Sequence, residues 1–201
     1  MPFFAPHRAQ QAVRLGDSIP HQAGHFASGE AIYRAGTTGV AWRLNHGVIR
    51  LDTTAASGQP AFASLAIAGD ILGCETLLFG TYTFSATALT DCRLTQWPEG
   101  VNDNDSLLAS LAHAQRRAAD LVALRGGQAI DRVLGLVRLL VDGAGRVILP
   151  TRQDIADITD LRFETISRIV KQLERSKVLT PIRIDGVHAT RSFKLTPVSN
   201  G

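Results

Sequence analysis

A chain of 201 residues that is 45% hydrophobic has room for one ordinary domain or two small ones, with apolar side chains enough for a core. No apolar run reaches the ~18–20 residues of a membrane span, and Pro2, Pro6, His7, Arg8, Gln10, Gln11 and Arg14 leave no apolar signal segment, so a cytoplasmic protein is expected and a membrane or exported one excluded. The net charge of +3 is unevenly placed: residues 1–150 balance 12 Arg against 12 acidic residues, whereas 151–201 carry 9 basic and 6 acidic ones.

From about 25 to 98 the chain reads as short strands separated by turns. Strand-length runs are 31–33, 41–44, 47–51, 61–67 and 82–89, with Gly36, Asn45-His46-Gly47, Ser57-Gly58, Gly69-Asp70 and Thr90-Asp91 between them. Such spacing predicts an antiparallel barrel or sandwich. Helical sequence follows. The segment Asn102 to Ser106 offers several N-caps, and apolar residues then recur at Leu107, Leu111, Ala114, Ala118 and Leu121, stepping by four, three, four and three. That heptad stripe fits a helix packed on the barrel or the seam of a dimer, and periodicity does not choose between them. Gly126-Gly127 ends it. A second helix presents Ile130, Val133, Leu134, Val137, Leu140 and Val141 on one face and stops by Gly143.

After Leu149-Pro150, Thr151 with Asp154 three residues on forms a capping-box pattern, with Asp in place of the longer Glu. Apolar Ile155-Ala156, a break at Asp160-Leu161 and a second stripe through Ile166, Ile169, Val170 and Leu173 give the layout of a helix-turn-helix. Ile182-Arg183-Ile184, Asp185-Gly186 and Val187 onward then read as a hairpin. A helix-turn-helix followed by a hairpin is a winged module. Its positive excess points to an anionic partner, nucleic acid first.

On the second helix of that module Glu164, Ser167 and Arg168 lie at i, i+3 and i+4 and share one face. Arg can donate two hydrogen bonds to guanine and Glu can accept one from cytosine, so the pair suits one G·C base pair, and Ser167 suits a neighbouring base. Arg162, Thr165, Lys171 and Arg175 are placed for phosphates, which hold register without specifying sequence. Glu164 and Arg168 could instead form a surface ion pair worth roughly 0.3–0.5 kcal/mol. Their position at the start of the second helix of a basic winged module favours base reading.

Thr151-Arg152-Gln153-Asp154-Ile155-Ala156 followed by Glu164-Thr165-Ile166-Ser167-Arg168-Ile169 closely resembles the Crp/Fnr family of bacterial transcription regulators. Gly47-Val48-Ile49-Arg50-Leu51 and Gly69-Asp70-Ile71-Leu72-Gly73 look like its β-roll signatures. The resemblance implies an α+β chain: a cyclic-nucleotide-binding-like β-roll over 1–100, a dimerisation helix over 101–126 and a winged helix-turn-helix over 127–201. It turns the 107–121 stripe into a homodimer seam and implies RNA polymerase as a further partner. Glu164, Ser167 and Arg168 match the trio of the Fnr branch, which implies half-sites like TTGAT in an inverted repeat, TTGAT-N4-ATCAA. Thr151, Arg152 and Phe163 join the backbone or flanking contacts. Asp160 stands where the family's turn carries Gly, and Arg162 replaces its Ser or Thr cap.

The effector is a matter of elimination. Cyclic-nucleotide binders of the family hold the phosphate with arginine, and no arginine lies between Arg50 and Arg93, so cAMP is rejected. No cysteine precedes Cys74, and two thiolates do not make the four ligands of an iron–sulfur cluster, so that is rejected too. Haem ranks low: Pro2 and Cys74 lie where carbon-monoxide sensors of the family place ligands, but Glu75 stands about where they carry histidine, and His7, His21, His25 and His46 read as solvated loop residues. Cys74 and Cys92 are candidates for a redox pair if their strands adjoin, with inert packing the stronger reading. What remains is an unidentified small ligand or none. No nucleophile–base pair, metal-ligand spacing or phosphate-binding glycine loop marks an enzyme or a metal site. The competing function is a haem- or small-ligand-binding sensor whose winged helix serves protein contacts.

Overall fold

The computed structural model describes residues 23–98, 104–187 and 191–196. Pro2, His7, His21 and the cap candidates Asn102 and Asp103 lie outside these residues. The first part is built from strands β1 (Ala23–Phe26), β2 (Ala31–Tyr33), β3 (Ala41–His46), β4 (Val48–Thr54), β5 (Pro60–Ile67), β6 (Ile71–Leu72), β7 (Ser85–Ala88) and β8 (Cys92–Trp97), with one short helix, α1 (Thr76–Phe79). They form two antiparallel four-stranded sheets, ordered β1-β8-β3-β6 and β2-β7-β4-β5. Leu44, Leu72 and Leu94 of the first sheet meet Ile49, Ala66 and Ala86 of the second in one buried layer. Gly47 makes the β3–β4 turn at φ 98°, and a Cβ there would lie 2.6 Å from Cys92 Sγ.

Helix α2 (Asn104–Ala123) lies on this roll. Leu107 packs with Ala41, Ile71 and Trp97, and Ser110 Oγ accepts from the Ile71 amide at 2.9 Å. Arg117 is buried and ion-paired with Asp70, its Nη2 donating to Oδ1 at 3.0 Å and its Nη1 donating to Leu65 O at 3.2 Å. Asp70 Oδ2 also accepts from the Ile67 amide at 2.7 Å, so this one carboxylate closes the β5–β6 turn and anchors the helix.

The second part comprises α3 (Ala129–Leu140), β9 (Arg146–Ile148), α4 (Arg152–Thr159), α5 (Phe163–Arg175), β10 (Leu179–Pro181) and β11 (Ser192–Leu195), the strands forming an antiparallel sheet ordered β10-β11-β9. Its core is continuous with the roll: Val48, Leu65 and Leu89 join Leu121 and Leu124 and pass into Val137, Ile155, Ile166 and Phe193. Arg191 ties the two parts further, donating to Leu149 O at 2.7 Å and Leu89 O at 2.8 Å.

Several elements differ from the sequence reading. The strand expected over 82–89 begins only at Ser85, because Tyr82 is drawn into the core and stacks on Tyr33 with ring centroids 3.8 Å apart. The wing's ladder runs through 179–181 and 192–195 rather than 182–184, although Asp185-Gly186 does make a turn, closed by the Val187 amide on Ile184 O at 3.1 Å. Strands β1, β6, β8 and β9 carry no strand signal of their own in the sequence reading. Helix α2 ends at Ala123, ahead of Gly126.

Candidate nucleic-acid interface

Local chemistry sets the helix pair. Thr151 Oγ1 accepts from the Asp154 amide at 3.1 Å, and the Asp154 carboxylate accepts in return from the Thr151 amide at 3.3 Å, so the shorter Asp completes the capping box. Asp160 ends α4 in the left-handed conformation, φ 52° and ψ 47°, and its turn is held by the Leu161 amide on Ala156 O at 3.1 Å. Arg162 then occupies the N-cap of α5 with no side-chain hydrogen bond, as expected of a replaced Ser or Thr. Ile166, Ile169, Val170 and Leu173 bury one face of α5.

The opposite face is open. Phe163, Glu164, Ser167, Arg168, Lys171 and Arg175 together line one shallow depression. Glu164 and Arg168 do not pair with each other among the described residues, so the ion-pair reading of that spacing is not realised. Phe163 is 48% exposed, a large apolar side chain held in solvent at the helix start. Arg162 is exposed beside this face and Thr165 is half-buried at its edge. Arg152 sits elsewhere: it is half-buried, and burial lowers its pKa, with Glu174 opposing the shift and Arg191 adding to it.

The stripe along α2 divides. Leu111, Ala114 and Ala118 are exposed, but Leu121 is buried at 7% exposure and Leu107 packs on the roll, so both ends of the expected seam face their own chain. The exposed apolar line is Leu108, Leu111, Ala118 and Val122, with Gln115 between, a heptad spacing that shares Leu111 and Ala118 with the expected stripe. Leu108 and Val122 are 64% and 74% exposed. Sequence reasoning misses both, because two adjacent stripes share the same period and only burial separates them.

The two cysteines are free and belong to different clusters, Cys74 with Ala41, Ile71 and Trp97, Cys92 with Leu44 and Ile49. No disulfide joins them. Burial raises the Cys74 thiol, and nearby Glu75 adds to that; Glu75 itself accepts from the Thr83 amide at 3.2 Å. Burial pushes Cys92 up to about 11. Because the thiolate is the reactive form, Cys92 is expected to resist Ellman's reagent at pH 7–8 in the folded protein and to react only as pH climbs toward 11. Denaturation restores ordinary labelling. Prompt labelling of the native protein at pH 7 in a Cys74→Ser variant would contradict the assignment.

The cyclic nucleotide-binding domain family model matches residues 23–104 of this chain. The nitrogen fixation regulation protein FixK of Bradyrhizobium diazoefficiens is 29% identical over 194 residues, covering 82% of this chain and 81% of the relative. A transcriptional regulator of the Crp family from Thermus thermophilus superposes with a TM-score of 0.66 at 22% identity, covering 86% of this chain and 92% of that one. In sequence and in fold the chain is similar to regulators of the Crp/Fnr family. FixK2 of Bradyrhizobium japonicum shares the fold at a TM-score of 0.65 and 23% identity, over 88% of this chain and 93% of that one. A second FixK, from Azorhizobium caulinodans, is 29% identical over 153 residues, covering 67% of this chain and 61% of the relative. No helix among the described residues is long and apolar enough to cross a membrane.

The family's β-roll implies a cyclic nucleotide, and the residues present do not fit one. Arg50, the last arginine before Arg93, is engaged by carboxylates: its Nε donates to Asp52 Oδ1 at 2.8 Å and its Nη1 donates to Asp157 Oδ2 at 2.8 Å. Burial alone would lower its pKa, but the hydrogen bonds to Asp157 and Asp52 outweigh that and hold it above the ordinary value. Inside the roll Tyr82 lies stacked on Tyr33, its hydroxyl donating to Val40 O at 2.7 Å, and a side chain at Gly39 or Gly73 would collide with its ring.

Proposed function

We propose that this chain is a Crp/Fnr-type transcription regulator that acts in the cytoplasm as a homodimer and binds double-stranded DNA at an inverted repeat resembling TTGAT-N4-ATCAA. One observation carries the reading: the open face of α5 gathers Glu164, Ser167 and Arg168, the first and last unpaired among the described residues and free to meet base edges. Arg168 takes guanine and Glu164 the paired cytosine. Lys171 and Arg175 follow along the same face toward phosphates, Phe163 lies against the flanking base, and Thr151 at the start of α4 reaches the backbone. The functional division runs from the roll through α2 to the winged unit beginning near residue 127. RNA polymerase is the further partner of such a regulator.

The dimer seam is the exposed line Leu108, Leu111, Ala118 and Val122, with the small Ala118 letting two α2 helices approach closely. Leu111→Asp and Val122→Asp each place a charge in that seam and are expected to weaken the dimer by about 2 kcal/mol, roughly thirtyfold. Light scattering behind size exclusion reads the mass, and selection from a random DNA pool reads the site. The wild type is expected to run as a dimer and to enrich an inverted repeat with a G·C pair in each half. The paired variant is expected to run as a monomer and lose the repeat. A variant that stays dimeric would refute the seam, and a wild-type pool without symmetry would refute the palindrome.

A further inference from the structure

Arg50 reaches across the molecule. It lies in β4 of the roll, yet its Nη1 meets Asp157 Oδ2 at 2.8 Å and Asp154 Oδ1 at 3.2 Å, more than a hundred residues away on α4. Its side chain is 13% exposed, and Asp52 at 2.8 Å holds the guanidinium's other edge. Asp154 is the N3 partner in the α4 capping box, so the contact grips the first turn of the helix that supports the reader helix. Two guanidinium groups lie over the ring of Phe62 of β5, Arg50 at 5.7 Å and Arg125 at 5.5 Å from its centroid. Arg125, two residues beyond the end of α2, donates to Asp157 O at 3.3 Å and Ile158 O at 3.4 Å. Roll, α2 and α4 therefore meet at one charged knot.

That knot does something packing alone does not. A dimer that reads an inverted repeat must hold two reader helices at a fixed separation, about one helical turn of DNA. Separation is set by the path from the seam on α2 to α5, and the knot is where that path leaves α2. Apolar contact is non-directional, whereas a partly buried guanidinium held by three carboxylates has a geometry set by its donors. We infer that Arg50 is a positioning residue for DNA recognition, locking α4 and α5 at the separation one palindrome spacing requires while touching no DNA itself. The inference rests on the proposed dimeric reading of a palindrome and adds to it the element that sets the spacing.

The test compares duplexes rather than proteins alone. Wild type, Arg50→Gln, Arg50→Lys and Asp157→Asn are titrated by fluorescence anisotropy against a single half-site and against palindromes with spacers of three, four, five and six base pairs. Each added pair moves the second half-site by ~3.4 Å and turns it by about 34°. Loss of the lock reduces the effective concentration of the second reader helix without altering the first. Arg50→Gln and Asp157→Asn are therefore expected to bind the preferred palindrome about tenfold more weakly, to bind the half-site as the wild type does, and to lose spacer preference. Arg50→Lys retains the charge but not the fork and is expected to recover only part of the palindrome affinity. Half-site binding doubles as the check on folding, and Asp157→Asn, at a partly exposed position, decides the matter if Arg50→Gln does not fold. Equal losses on half-site and palindrome, no loss, or tighter binding would overturn the inference. If the wild type itself binds half-site and palindrome equally, the dimeric reading fails, and this inference fails with it.

Discussion

Replacing Arg168 by alanine is expected to abolish the preference for a G·C pair in each half-site while leaving salt-dependent binding to any duplex nearly intact. The guanidinium stands on the open face of α5 beside Glu164 and Ser167, with no carboxylate partner of its own among the described residues. A bidentate Arg–guanine contact discriminates by about 1–3 kcal/mol, or roughly 5- to 150-fold per half-site, and a symmetric dimer makes it twice. Lys171 and Arg175 stay in place, so the slope of log affinity against log salt is expected to remain near the wild-type value. Titrations against the palindrome and against a version with A·T at the read position measure both quantities. Retained discrimination in the variant would show that another side chain reads the pair. A reduced salt slope with retained discrimination would recast Arg168 as a phosphate contact.

The largest stability effect belongs to Asp70. Its alanine variant leaves the Arg117 guanidinium buried at 6% side-chain exposure with no charge partner. Arg117 Nε already lacks a hydrogen-bond partner, so little remains to offset the loss. Removing one member of a buried ion pair costs about 3–5 kcal/mol, against a total stability of roughly 5–15 kcal/mol for a domain. A chain of this size loses roughly 2–4 °C of Tm per kcal/mol, so the midpoint is expected to fall by about 6–20 °C. Asp70→Leu with Arg117→Met replaces both charges by apolar groups of similar bulk and is expected to recover much of the loss. A single Asp70→Ala variant with an unchanged midpoint would mean that Arg117 finds water, and that the pair does not fasten α2 to the roll.

What the chain betrays in advance follows from range. The capping box of α4, the left-handed Asp160 and the buried stripe of α5 are set by neighbours within four residues, so their chemistry shows in the order of side chains. The reader trio shows for the same reason, since i, i+3 and i+4 on a helix share a face wherever the helix lies. The seam is legible only to within one register: the repeat at 107–121 is real, but Ser110, Arg117 and Leu121 turn that side of α2 toward the roll and leave the neighbouring line exposed. Strand β8 alternates only partly, so its period-two signal is weak behind the turn at Thr90-Asp91. Arg50's partners on α4 cannot be read at all, because an ion pair spanning 104 and 107 residues leaves no trace in spacing. Tyr82 is hidden likewise: its stacking on Tyr33 joins positions that only the closed roll brings together.

That α5 reads a palindrome is tested most directly by one titration. Purified, effector-free protein is titrated by fluorescence anisotropy against labelled TTGAT-N4-ATCAA and against a scrambled duplex of the same composition, at one fixed salt concentration. Binding to the palindrome is expected to be at least about a thousandfold tighter than to the scrambled duplex, the lower end of what specific regulators achieve. Equal, weak binding to both duplexes would contradict it.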